Sequence, residues 1–120
     1  MKSQLITHNG KEILHCAFNG FGNNLFAFSA EVNAVDEWLL TQPLNSVRLV
    51  ADVTGTTPSP QAISFMLKSS ARTKDHVRKQ AVVGLGSDRS IVARLIGSSS
   101  GNTLMLFDNI EAASNWVVED

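Results

Sequence analysis

One cysteine, three prolines, no tyrosine and no long apolar run limit what this 120-residue chain can be. Cys16 has no partner cysteine, so an internal disulfide and a disulfide-stapled scaffold are excluded. No apolar stretch approaches the roughly 20 residues of a membrane helix, and the start M-K-S-Q-L-I-T-H has no long apolar core after its lysine. Stable membrane insertion is therefore not expected, and a cytoplasmic location is. An excess of one charge is also lacking, since 10 Lys and Arg face 11 Asp and Glu. Nucleic acid is not an expected partner, because the basic residues are not interleaved with aromatics and no nucleic-acid motif is present.

Catalytic and metal signatures are equally sparse. His8, His15 and His76 have no short ligand spacing among themselves or with Cys16, so no metal or cofactor is expected. Asp36 and Glu37 are adjacent and leave a helix in different directions, which does not make a paired-carboxylate site. With no nucleophile and base to pair, an enzyme is the less favoured class.

What is present suits one globular domain over 1–120. Hydrophobic residues make up 43% of the chain and charged residues 18%, enough apolar side chain to oppose the conformational entropy of folding. The opening reads as a hairpin, Gln4 to His8 and Lys11 to Phe18 joined by Asn9-Gly10, a pair that supplies the positive φ values of a tight turn. Leu14, Cys16 and Phe18 share one face of its second strand, which makes Cys16 a core residue. Leu25, Phe28, Val32, Val35 and Leu39 recur at helical spacing, with Asn23 or Asn24 as cap and Pro43 beyond the end.

Strand and helix then alternate. Strands are expected at Val47 to Val53, Ala81 to Leu85 and Leu104 to Phe107, and helices over about Pro58 to Lys74, Asp88 to Gly97 and Ile110 to Val118. Asp108 and Glu111 form a capping-box pattern at the start of the last helix, with Trp116 on its apolar face. The fold class is α/β: an N-terminal β-hairpin and a mixed, largely parallel sheet covered by helices.

Functional interest centres on D-V-T-G-T-T-P-S-P, Asp52 to Pro60, a hydroxyl-rich junction between strand and helix. Gly55 permits a tight turn, Pro58 or Pro60 suits a first helical turn, and Thr57 or Ser59 can cap it. A hydroxyl at a helix N-terminus can bind an anion or accept a phosphoryl group, or it can serve only as a cap. The candidates for a phospho-acceptor or partner site are Asp52, Thr54, Gly55, Thr56, Thr57 and Ser59. A second glycine-bearing turn, Gly84, Gly86 and Ser87 with Arg89 beyond it, lacks the third glycine of a dinucleotide fingerprint and the G-K-S/T of a phosphate loop. It is a plain turn or an anion contact.

The element order, together with L-V-A-D-V-T-G, A-V-V-G-L-G and L-F-D-N-I-E-A-A-S-N-W-V, resembles a group of small proteins with the SpoIIAA-like, or STAS-like, fold. Anti-sigma factor antagonists of this fold carry an Asp-Ser-Ser-Gly-like junction whose second serine is phosphorylated. Here D-V-T-G matches at Asp52 and Gly55, with Thr54 at the position of that hydroxyl. The resemblance implies a non-enzymatic regulatory or protein-interaction module, switched by phosphorylation and assembled as a homodimer through a sheet edge or an apolar helix face. The alternative is a carrier or sensor of a small amphipathic or anionic ligand. In that case Leu25, Phe26 and Phe28 bound an apolar pocket and Lys74, Arg78 or Lys79 attracts the charged end.

Overall fold

The structure, a computed structural model, describes residues 2–86 and 104–119. Among the described residues five strands form one sheet in the order of the chain: β1 (Gln4–His8), β2 (Lys11–Ala17), β3 (Val47–Asp52), β4 (Val77–Val83) and β5 (Leu104–Phe107). The first pair is antiparallel and the remaining three pairings are parallel. Three α-helices are described, α1 (Leu25–Leu39), α2 (Pro60–Thr73) and α3 (Ile110–Val117). The helix expected over about 88–97, with Ser87 and Arg89, lies outside the described residues. No described helix is long and apolar enough to cross a membrane.

The hairpin forms as its turn dictates. Asn9 and Gly10 have φ of 52° and 79°, the two left-handed residues of a turn whose twist matches its strands, and His8 pairs directly with Lys11. Alternation along β2 then divides two cores. Leu14, Cys16 and Phe18 pack with Phe28, Val32, Val35 and Leu39 of α1, while Ile13 joins Val50, Ala81, Val83, Ala113 and Val117 beneath α3. With both faces covered, the carboxyl halves of β3 (Leu49-Val50-Ala51) and β4 (Ala81-Val82-Val83) are continuous apolar runs rather than alternating ones. Each fully buried apolar side chain of α1 stabilises the fold by roughly 1.5–3 kcal/mol.

Several expected boundaries shift, the largest at β4, which is expected over Ala81 to Leu85 and runs Val77–Val83, because Arg78, Lys79 and Gln80 in its first half give no apolar run. The strand from Val47 ends at Asp52, one residue early, although Val53 is buried and its N–H still reaches Val83 O at 2.9 Å. The second helix begins at Pro60 rather than Pro58, because Ser59 is the residue whose hydroxyl accepts from Ala62 N, at 3.1 Å. At α3 the cap is Asn109 and not Asp108: the Asn109 carboxamide oxygen accepts from Ala112 N at 2.8 Å.

Two carboxylates lie on the buried side of α1, and both have partners elsewhere in the chain. Asp36 accepts from the Ser69 hydroxyl and from the Arg72 guanidinium, tying α1 to α2. Glu31 accepts from Lys2 N and Ser3 N at 2.9 Å and from the Ser3 hydroxyl at 2.8 Å. Burial raises the Glu31 pKa, but these bonds outweigh it and hold the group below its ordinary value. Three cations from adjacent strands close the C-terminal end of α3. Lys11 donates to Val118 O, Arg48 to Val117 O and Lys79 to Trp116 O, at 2.7–2.8 Å. They meet the negative end of the helix dipole and its last carbonyls.

Candidate functional site

Register brings the parallel strands to a common end. Ala17 pairs with Asp52, Asp52 with Val83 and Val83 with Phe107, so the segments that follow these residues share one rim of the sheet. Both α1 and α2 begin at this rim, and neither has an acidic residue in its first turn. In open α/β sheets ligands bind beyond the carboxyl ends of the strands, where the order of strands reverses, and the sequential order of the described strands has no such reversal.

The Asp52 to Pro60 junction is rigidly laced to the segment leading into α1. Gly20 N donates to Thr54 O and Gly22 N to Gly55 O, both at 2.8 Å, and Thr57 N returns a bond to Gly22 O at 2.9 Å. Within the junction, Asp52 Oδ1 accepts from Thr54 N at 3.0 Å, a local turn that short acidic side chains favour. Gly55 has φ of 76°, which lets its carbonyl face Gly22.

The four hydroxyls consequently differ in role. Thr56 donates to Phe18 O at 2.6 Å and accepts from Phe21 N at 3.2 Å, so its hydroxyl ties the two segments together. Ser59 caps α2. Thr54 and Thr57 are exposed, and Gly55 lies exposed beside Thr54. Thr54 rests against the backbone of Gly84: a Cβ added at Gly84 would meet Thr54 Oγ1 at 2.2 Å, Thr54 N at 2.6 Å and Thr54 Cα at 2.9 Å. Gly84, at φ of 98°, is therefore the seat that sets the position of Thr54.

Beside these hydroxyls a cleft of about 200 Å³ opens between the starts of the two helices. Asn24, Leu25, Thr56, Thr57, Ser59 and Gln61 are among its walls. The expected apolar trio does not converge there. Phe28 reaches the cleft from the core with 1% of its surface exposed, Leu25 lies at the rim, and Phe26 is 84% exposed on the outer side of α1.

The basic candidates are placed apart from this rim. Lys74 lies in a 3-10 turn after α2, and Arg78 is exposed near the start of β4, the opposite end of that strand from the junction. Lys79 Nζ is engaged by Trp116 O and Glu119 O and lies 4.3 Å from the centre of the Trp116 ring. Gly86 is exposed with φ of 58°.

Among the described residues no group of three His, Cys, Asp or Glu side chains is placed to hold a metal ion. Cys16 is fully buried. Burial first, then the Glu31 and Asp36 carboxylates, push its thiol far above the ordinary range, so it stays protonated. His8 Nε2 lies 2.7 Å from Asn115 Oδ1 and His76 Nδ1 lies 2.7 Å from Gln42 O, so each contact supports its neighbouring loop or helix.

Sequence reasoning missed the structural role of Thr56, because its partners, Phe18 and Phe21, lie more than thirty positions away. It also missed Gly84 as the seat of Thr54, although the glycine itself was a visible signal. Compared with known proteins, the chain matches no family model, no curated protein and no solved structure.

Proposed function

We propose that this chain is a non-enzymatic regulatory or protein-interaction module whose switchable surface is the rim formed by Thr54, Gly55 and Thr57. The observation that carries this reading is the division among four neighbouring hydroxyls: Thr56 and Ser59 are committed to holding the junction, while Thr54 and Thr57 are exposed on it. A kinase acting here would form a bond from Thr Oγ to the terminal phosphorus of a nucleoside triphosphate, release the diphosphate and pass the hydroxyl proton to its own base. The product carries about two negative charges where a partner would dock. At Thr57 that charge would lie two residues before the Ser59 cap, near the positive end of the α2 dipole, which favours it. The STAS-like resemblance and the D-V-T-G match at Thr54 support the same reading.

Thr54→Asp and Thr57→Asp test it through the proteins that co-purify from the native host. A partner profile changed by either substitution agrees with the proposal. Profiles identical to the parent for both would refute it.

The alternative reading, a carrier of a small amphipathic or anionic ligand, draws on the 200 Å³ cleft between the two helix starts. Native mass spectrometry of gently purified protein separates the two, since a carrier retains a small molecule and an interaction module does not require one.

A further inference from the structure

The hairpin leaves β1 at one edge of the sheet, and every feature of that edge is suited to pairing with itself. Within the described residues the only strand that β1 pairs with is β2. A two-residue turn makes its flanking residues, His8 and Lys11, the hydrogen-bonded pair, so His8, Ile6 and Gln4 direct their backbone groups inward. Leu5 and Thr7 therefore present N–H and C=O outward. The devices that usually protect an edge are missing: Gln4–His8 contains no proline and no lysine, and its register with β2 is unbroken by a bulge. Each face of the strand carries one exposed apolar side chain at the edge, Leu5 at 49% and Ile6 at 37% exposure.

We infer that a second copy of this chain docks here, β1 against β1 in antiparallel sense about a two-fold axis at Ile6, joining two five-stranded sheets into one of ten. The register follows from what is already committed. Centring the axis on Leu5 would oppose Thr7 to Ser3, whose N–H and hydroxyl are both held by Glu31. Centring it on Ile6 opposes Leu5 to the partner's Thr7 and Thr7 to the partner's Leu5, so all four outward backbone groups of each copy are satisfied reciprocally. Ile6 then faces the partner's Ile6 at a non-hydrogen-bonded position, where side chains approach most closely. Gln4 lies opposite the partner's His8, and no two like formal charges are opposed across the five paired residues.

Four backbone groups and one apolar pair per copy make a weak contact, and the expected dissociation constant is roughly micromolar. This inference stands apart from the phosphorylation reading, since β1 lies at the sheet edge and takes no part in the rim.

Sedimentation velocity across a concentration series, combined with cysteine cross-linking of the full chain, tests both the dimer and its register. The expected species at high concentration has twice the 13.0 kDa chain mass. Ile6→Cys should cross-link under mild oxidation, because facing non-hydrogen-bonded residues lie about 4.5 Å apart at Cα, within disulfide reach. Leu5→Cys should not, since its counterpart lies two residues along the ladder, beyond the limit of about 7 Å.

Thr7→Pro removes only an outward N–H, a change edge strands tolerate, and should raise the dissociation constant roughly tenfold or more. A protein monomeric up to about 1 mM would overturn the dimer, which at roughly micromolar affinity would be saturated there. Cross-linking of Leu5→Cys in place of Ile6→Cys would overturn the register. A folded Thr7→Pro chain that dimerises as before would overturn the use of this edge.

Discussion

Replacing Gly84 by alanine is the sharpest perturbation of the candidate rim. Two penalties act at once. At φ of 98° any L side chain is strained, at a cost of about 1–3 kcal/mol. The new Cβ would also overlap Thr54 at 2.2, 2.6 and 2.9 Å, and two of these contacts are with backbone that is itself bonded to Asp52 and Gly20. Overpacking of this kind costs about another 1–3 kcal/mol, so the expected loss is about 2–6 kcal/mol.

Urea unfolding monitored by circular dichroism measures that loss. Gly10→Ala is the control, because Gly10 has a similar positive φ of 79° but no atom within 4 Å of an added Cβ. It should lose only the conformational part, about 1–2 kcal/mol. Combining Gly84→Ala with Thr54→Ala removes the contact with Oγ1 and leaves those with the Thr54 backbone, so the rescue should be partial. The seating of Thr54 on Gly84 would be refuted if Gly84→Ala and Gly10→Ala cost the same, or if the double variant were as stable as Thr54→Ala alone.

Other consequences are open to simpler measurements. Thr56→Val should destabilise by about 1–3 kcal/mol because it strands Phe18 O and Phe21 N, whereas Thr57→Val should stay within about 0.5 kcal/mol; chemical denaturation compares them. The pKa of Glu31 is lowered in the folded state, so its stabilisation is present above the ordinary carboxylate pKa and is lost as pH falls through the folded value. The stability gap between the parent and Glu31→Gln should therefore shrink from about pH 6 to about pH 3, while a constant gap would contradict the assignment. Lys79→Met should cost about 1–2 kcal/mol by leaving the Trp116 and Glu119 carbonyls without that donor, and hydrogen exchange should quicken at α3 amides before those of β3.

Local signals were legible in the sequence and long-range ones were not. Asn9-Gly10, the Phe28 to Leu39 stripe and the alternation of Leu14 and Cys16 act within one or two turns of chain, and each predicts what the structure contains. The cap of α3 misled because Asp108 and Asn109 are adjacent, both residue types cap well, and Glu111 completes the box only for the first of them.

Glu31 and Asp36 had a visible signal, since Asp36 follows Val32 by four on the apolar stripe, yet their partners Ser3, Ser69 and Arg72 are 28 to 36 residues distant. Lys79 drew attention as a cation for a ligand, but β4 turns it toward the last carbonyls of α3, a pairing that only tertiary structure creates. At the rim, the sequence singled out four hydroxyls together. Their separation into two committed and two exposed groups depends on Phe18, Phe21 and the α2 cap.

The central claim is tested most directly by mapping phosphorylation, by fragmentation mass spectrometry, on the chain purified from its native host. The account predicts one added phosphoryl group at Thr54 or Thr57, with Thr56 and Ser59 unmodified. A chain that is never modified, or one modified at Thr56 or Ser59 instead, would contradict it.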